Sequence, residues 1–234
     1  WTPTSRAATP STSLRGHRKE AAKDAIDVIF QHVRPTVPEV DTFRGPSTFA
    51  SGQGLVKALE SKPCFVSTLG EFGHTLRQIT GPKAHGWEVF LKKAILDLYS
   101  RSGRDKTYGE TAYADAQKNI ASLRSPSLTI LADSTPDTFY ECLDESRIAD
   151  GLLPRFQVVE YQGDRPDDNP HPGSPPPKAL IVQAVLIAAT ALRMQKSDTF
   201  VQVAVDASAQ IVLDAFKKEA AELVRGSDET HRLI

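Results

Sequence analysis

The stretch SPSLTILADSTPDTFY, from Ser125 to Tyr140, constrains the fold of this chain more than any other. Leu128 to Leu131 is a short apolar run after a proline, which reads as a buried strand. Asp133, Ser134 and Thr135 follow it, each a suitable helix N-cap, and Pro136 is the residue favoured at the first helical position. The helical segment carries Phe139, Tyr140 and Leu143. Further on, GLLPRF leads into Phe156 to Tyr161, which reads as another strand with Arg155 just before it. The order is therefore strand, polar tip, helix, arginine-bearing turn, strand. In open α/β sheets, ligands bind where the strands end. That rule directs attention to Ser134, Thr135 and Arg155.

Composition sets the outer bounds. The chain has 234 residues, 40% hydrophobic and 24% charged, with a formal net charge of -1. This is the composition of an ordinary globular protein, and a core of this size needs no staples. Cys64 and Cys142 lie in apolar settings, which predicts buried free thiols rather than a disulfide. No apolar run reaches the roughly 18 residues of a membrane span, so a cytoplasmic protein without membrane contact is expected. With no basic excess, any nucleic-acid contact must come from a local patch. The first residue is not Met and the last four, His231 to Ile234, follow a helical stretch without a stop signal. A piece of a longer protein is expected.

Residues 1–18 are rich in Ser, Thr, Pro and Arg and lack apolar periodicity, which predicts a poorly ordered arm, with the composition of a transit peptide. From Lys19, Ala22, Ala25, Ile26, Ile29, Phe30 and Val33 recur at helical spacing until Arg34-Pro35. Ser51 to Leu59 predicts a short helix. Pro63 to Leu69 predicts a strand covered on both faces, with Gly70-Glu71-Phe72-Gly73 after it and a turn or two of helix over His74 to Ile79. Trp87, Phe90, Leu91, Ala94, Ile95, Leu98 and Tyr99 form one helical stripe. Ser100 to Asp115 reads as a loop with a basic base at Arg101, Arg104 and Lys106, either a DNA-phosphate contact or a solvated connection. Asp164 to Pro177 is a proline-rich linker. Lys178 to Met194 predicts a helix buried on most sides, and Phe200 to Val205 a strand or an extended piece. Asp206 is expected to cap a long helix to Arg225, with Ile211, Val212, Ala215, Phe216, Leu223 and Val224 inward. The expected division is an arm over 1–18, an α/β core over 19–163, the linker, and a helical part over 178–234. Strands interleaved with helices argue for the α/β class.

The chemistry-bearing positions are few. A strand ending in an acid is what a phosphate-handling ATPase uses to hold Mg²⁺ and polarise water, and Cys64 to Leu69 with Gly70-Glu71 has that shape. The usual pair is Asp-Glu; Gly70 stands at the first position, so Glu71 is left to act on water. Ser134 and Thr135 suit the sensing of a terminal phosphate, though taken alone they read more simply as a helix N-cap. Arg155 suits an arginine finger, worth about 10³ to 10⁵ in rate where one operates, though taken alone it reads more simply as a surface or salt-bridged arginine. No histidine pairs with cysteine or carboxylate at zinc-ligand spacing, so no metal site is expected from side chains alone.

Taken together, SGQGLVKAL, the strand with GEFG, WEVFLKKAILDLYSRSG, SPSLTILADSTPDTFY and IADGLLPRFQVVEY resemble a family of phage, plasmid and genomic-island ATPase domains of the primase–helicase type. The resemblance runs from Ser51 to Tyr161. It implies a RecA- or AAA-like P-loop core, a mostly parallel sheet flanked by helices, with ATP and Mg²⁺ as cofactors, DNA as partner and a ring as the assembly. By position it makes Glu71 the water-activating glutamate, Ser134 and Thr135 the sensor, and Arg155 the finger or second sensor. The phosphate loop departs from the pattern GxxxxGK followed by Ser or Thr. It reads SLRGHRKE, so Gly16 and Lys19 are the nucleotide-binding candidates that remain. Arg18 holds the second glycine position, where a side chain obstructs backbone approach to phosphate, and Glu20 replaces the hydroxyl residue. The resemblance thus leaves three readings: an ATPase, a catalytically inactive relative that binds DNA or protein, and a regulator that joins and poisons an active ring.

Overall fold

The computed structural model describes residues 24–115, 117, 119–142, 151–160 and 174–226. Gly16, Lys19, the 1–18 arm, Leu143, Tyr161 and most of the proline-rich linker lie outside the described residues. The chain divides into two compact units. One runs to Asp41 and resumes up to Arg193, and the other runs from Thr42 and resumes at Met194.

In the first unit, α1 is helical over residues 24–33 and a 3-10 turn follows at Pro38–Phe43. Val33, Val37 and Val40 are buried. Arg34 grips Asp41 through two N–H donors at 2.7 and 2.9 Å, closing the turn after the helix. The long helix α6, Lys178–Ser197, contributes Ala188 and Leu192 as its buried residues.

In the second unit, α2 (Gly52–Ser61) starts at Ser51, whose hydroxyl accepts the Gly54 N–H at 3.0 Å. Then come β1 (Cys64–Leu69), α3 (Phe72–Thr80) and α4 (Gly86–Arg101). Two short strands, β2 (Thr107–Tyr108) and β3 (Leu123–Arg124), pair antiparallel, so the expected basic loop is partly a hairpin. β4 (Ser127–Ala132) leads into α5, Pro136–Tyr140, with Thr135 as N-cap and proline in the first turn, as the sequence predicts. A single 3-10 turn, Leu153–Arg155, follows, and α7 (Ala207–Gly226) is the last described helix.

β1 and β4 are parallel neighbours, in register from Cys64↔Ser127 to Leu69↔Ala132. On its other side β1 touches Arg44 in an isolated parallel bridge, and Gly45 N–H donates to the Val66 carbonyl at 2.8 Å. Phe65, Ser67 and Leu69 are buried, whereas Cys64, Val66 and Thr68 are half-buried. The strand is thus fully covered on one face only, not on both. The packed face joins Leu55, Leu59, Leu76, Ile79, Leu91, Leu98 and Leu152 in one core. Gly52 permits α2 to cross α4 closely, since a Cβ there would lie 2.6 Å from the Phe90 carbonyl oxygen.

Several expectations are corrected. Residues 157–160 carry no strand. The Phe156 ring packs on Phe72 at 5.4 Å and Glu160 accepts the Tyr140 hydroxyl at 2.7 Å, which ties the segment to α3 and α5 instead of a ladder. In α4, Trp87 and Tyr99 face out, and Glu88 is buried because its carboxylate accepts the His85 N–H at 2.6 Å in a capping box. Phe200 to Val205 forms no strand. On α7, Ile211, Val212, Ala215, Phe216 and Leu223 are exposed rather than inward. α6 is largely exposed too, with Leu180, Val182, Leu186 and Ile187 open. By length and composition alone, α6 is long and apolar enough to cross a membrane, and little of it is buried. Gln183 and Thr190 interrupt its apolar residues between Lys178 and Arg193, which is why the apolar pattern alone does not mark it as a span.

Candidate functional site

Parallel pairing puts the C-terminal tips of β1 and β4 on one edge. The ladder runs on past both strands: Asp133 N–H donates to the Leu69 carbonyl at 3.2 Å, and Phe72 N–H to the Asp133 carbonyl at 2.8 Å. Glu71 lies inside that clasp. Its backbone is left-handed, with φ 49° and ψ 43°, and it stands at the N-cap position of α3 without a side-chain capping bond. For a residue with a Cβ this conformation is unfavourable by about 1–2 kcal/mol, held only where the surroundings fix it. The side chain is exposed, so the tip offers a carboxylate at the mouth of the edge.

Gly73 sits directly against Ser134. A Cβ at Gly73 would lie 2.3 Å from Ser134 Oγ and 2.9 Å from Thr138 Cγ2. The GEFG turn and the Ser134-Thr135 tip are therefore one construction, brought together by an absent side chain. The Ser134 hydroxyl donates to the Thr135 carbonyl at 3.1 Å, and the Thr135 hydroxyl to Thr138 Oγ1 at 2.7 Å. Both are half-buried, and neither bonds the first-turn N–H groups of α5 as a side-chain cap does. Below them, the buried Cys142 thiol donates to the Thr138 carbonyl at 3.2 Å and sits near the Gly73 carbonyl. Cys142 is buried and Cys64 half-buried, both free thiols.

Arg155 reaches this region through its neighbour, because Phe156 packs on Phe72. Its guanidinium turns elsewhere, lying 5.3 Å from the centre of the Tyr99 ring on α4 and donating from Nη1 to the Gly151 carbonyl. The basic candidates are all exposed. Arg101 is the last residue of α4, Arg104 pairs with Asp105 at 3.2 Å, and Lys106 offers its carbonyl to the Ser125 N–H. Tyr140 beside Glu160 has its hydroxyl pushed above the usual range, because the hydrogen bond to that carboxylate favours the protonated phenol.

Glu71, Ser134 and Thr135 are thus brought to one edge, with the Arg155 turn packed beside it. Gly16 and Lys19 lie outside the described residues. Sequence reasoning missed Gly73, Tyr99 and the Asp133 main chain. Gly73 was legible only as one of two glycines in GEFG, and Tyr99 was absorbed into the α4 stripe. Among the described residues no group of three or more His, Cys, Asp or Glu stands together as a metal site.

No protein-family model, curated protein or solved structure matches this chain.

Proposed function

We propose that the chain is an ATP-hydrolysing domain of a mobile-element DNA replication protein, with a RecA- or AAA-like core. The observation that carries this reading is the pairing of β1 with β4, which sets Glu71 and Ser134-Thr135 at the same strand edge. Glu71 orients the attacking water, and Ser134 and Thr135 face the terminal phosphate. Water adds to the γ-phosphorus, the bond to the β–γ bridging oxygen breaks, and ADP and phosphate leave. Mg²⁺ supplies charge neutralisation of the phosphates when bound. Arg155, whose guanidinium turns from this edge toward Tyr99, supports the developing charge in the site of a neighbouring subunit, and Arg101, Arg104 and Lys106 meet DNA phosphates in the cytoplasm.

A second reading, an inactive relative serving as a DNA-binding or protein-interaction module, is favoured by the loop sequence around Arg18 and Glu20. The two separate on hydrolysis rate against protein concentration for wild type, Glu71→Gln, Arg155→Ala and an equal mixture of the variants. Activity in the mixture, with each variant dead alone, establishes a site shared between subunits. Wild type inactive at every concentration, with no ATP bound, sinks the enzyme reading.

A further inference from the structure

Arg155 stands in a turn built to hold it. Gly151 has φ +75°, a conformation that favours glycine, and a Cβ there would lie 2.8 Å from Arg155 Nη1. Leu152 and Leu153 are buried and fasten the turn to the core. Pro154 fixes the backbone of the 3-10 turn, in which Arg155 N–H donates to the Leu152 carbonyl at 3.2 Å and Phe156 N–H to the Leu153 carbonyl at 2.9 Å. The side chain then folds back, giving one Nη1 N–H to Gly151 and setting its guanidinium carbon over the Tyr99 ring. Its Nε is buried, with no hydrogen-bond acceptor among the described residues. Of the five N–H donors of a guanidinium, one is given to Gly151 and four find no acceptor among the described residues.

Tyr99 needs an explanation of its own. It is 63% exposed, yet it lies on the stripe of α4 that the apolar pattern assigns to the core. Its contribution to packing is small. Its contact with a guanidinium is a cation–π stack, and stacking of this kind fixes the plane of an arginine while leaving its outer edge to bind an anion.

We propose that Tyr99 is a positioning residue for Arg155, acting with the Gly151 carbonyl to preorganise the guanidinium for a phosphoryl oxygen. This rests on the phosphate-handling reading above. A loose arginine must be ordered at each turnover, and misplacement by about 1 Å costs about 10²-fold in rate. Tyr99 thereby acts through Arg155 and never touches substrate.

The test has two independent readouts. In the first, the Nε–H resonance of Arg155, assigned by its loss in Arg155→Lys, is followed by NMR for exchange with water. Slow exchange is expected in wild type and Tyr99→Phe, and fast exchange in Tyr99→Ala. In the second, Mg-ATP turnover is measured on the same proteins. Tyr99→Ala is expected to lower kcat by about 10- to 100-fold with KM unchanged, and Tyr99→Phe to restore it, with thermal stability unaltered across the series. Protected exchange in Tyr99→Ala overturns the proposal. So does a Tyr99→Ala protein that turns over normally while Arg155→Ala does not. If wild type hydrolyses nothing, the enzyme reading falls by itself and the exchange rates alone decide whether Tyr99 holds Arg155.

Discussion

At the residue scale, two positions carry most of the physical content of the candidate site. Glu71 keeps a carboxylate where a glycine would be more comfortable. Replacing it with glycine relieves the left-handed strain and removes the carboxylate together. The expected result is a protein as stable as wild type or up to about 1 kcal/mol more so, with hydrolysis abolished. Denaturant unfolding beside turnover measures both, and a clear fall in stability would mean that the Glu71 side chain holds the fold. Gly73 works in the opposite sense, since the space for a Cβ is already filled by Ser134 Oγ. Gly73→Ala should cost about 1–3 kcal/mol through overpacking. Much of that cost should vanish in a Ser134→Ala background, because the colliding oxygen is gone. A double-mutant cycle with no coupling energy would show that the two tips do not meet.

At the element scale, α4 shows how far a helical stripe can be read. The sequence puts Trp87 and Leu91 on the same inward side. The structure buries Leu91 at 1% exposure and leaves Trp87 at 44%. Leu91→Ala should therefore cost about 2–5 kcal/mol, and Trp87→Ala less than about 1 kcal/mol. Similar losses at both would restore the simple stripe. The reason for the difference is local: the His85–Glu88 capping box turns a glutamate inward in the first turn, and no apolar pattern encodes that. At α7 the sequence succeeds at the start of the helix and fails along its side. Asp206 caps as expected, its Oδ1 accepting the Ala209 N–H at 2.8 Å and the Ser208 hydroxyl at 2.6 Å. These bonds, Ser208 first, hold the Asp206 carboxyl below its ordinary range. The folded value is depressed, so the cap stabilises above the ordinary carboxylate range and the contribution fades as pH falls through the lowered value. Amide exchange at Ala209 should accelerate in Asp206→Ala at neutral pH, and in wild type only under strongly acid conditions. Equal exchange in both at neutral pH would rule the cap out. The exposed apolar side of α7 was misread because helical periodicity says which side is apolar, not whether anything covers it.

At the scale of the whole molecule, the legible part was the succession of strands, tips and helices between Ser51 and Tyr140. Apolar runs with polar ends located β1 and β4, and their shared edge followed from parallel pairing. The mixed α/β class was legible for the same reason. What could not be read was which segments stay outside the sheet. Phe156 to Glu160 has the composition of a strand, yet two side-chain contacts, with Phe72 and Tyr140, hold it against helices. Such a choice depends on partners distant in sequence, and β propensity alone is silent on it. The same limit hid the stacking of Arg155 on Tyr99. The loop candidates Gly16 and Lys19 rest on sequence alone, and they decide whether the edge of Glu71, Ser134 and Thr135 has a nucleotide to work on. The most direct measurement is equilibrium titration of fluorescently labelled ATP, with and without Mg²⁺, into wild type, Lys19→Ala and the Ser134→Ala/Thr135→Ala double variant. Saturable binding by wild type, weakened in both variants, is the predicted result. No saturable binding by wild type at any attainable concentration would contradict the assignment of this edge to ATP.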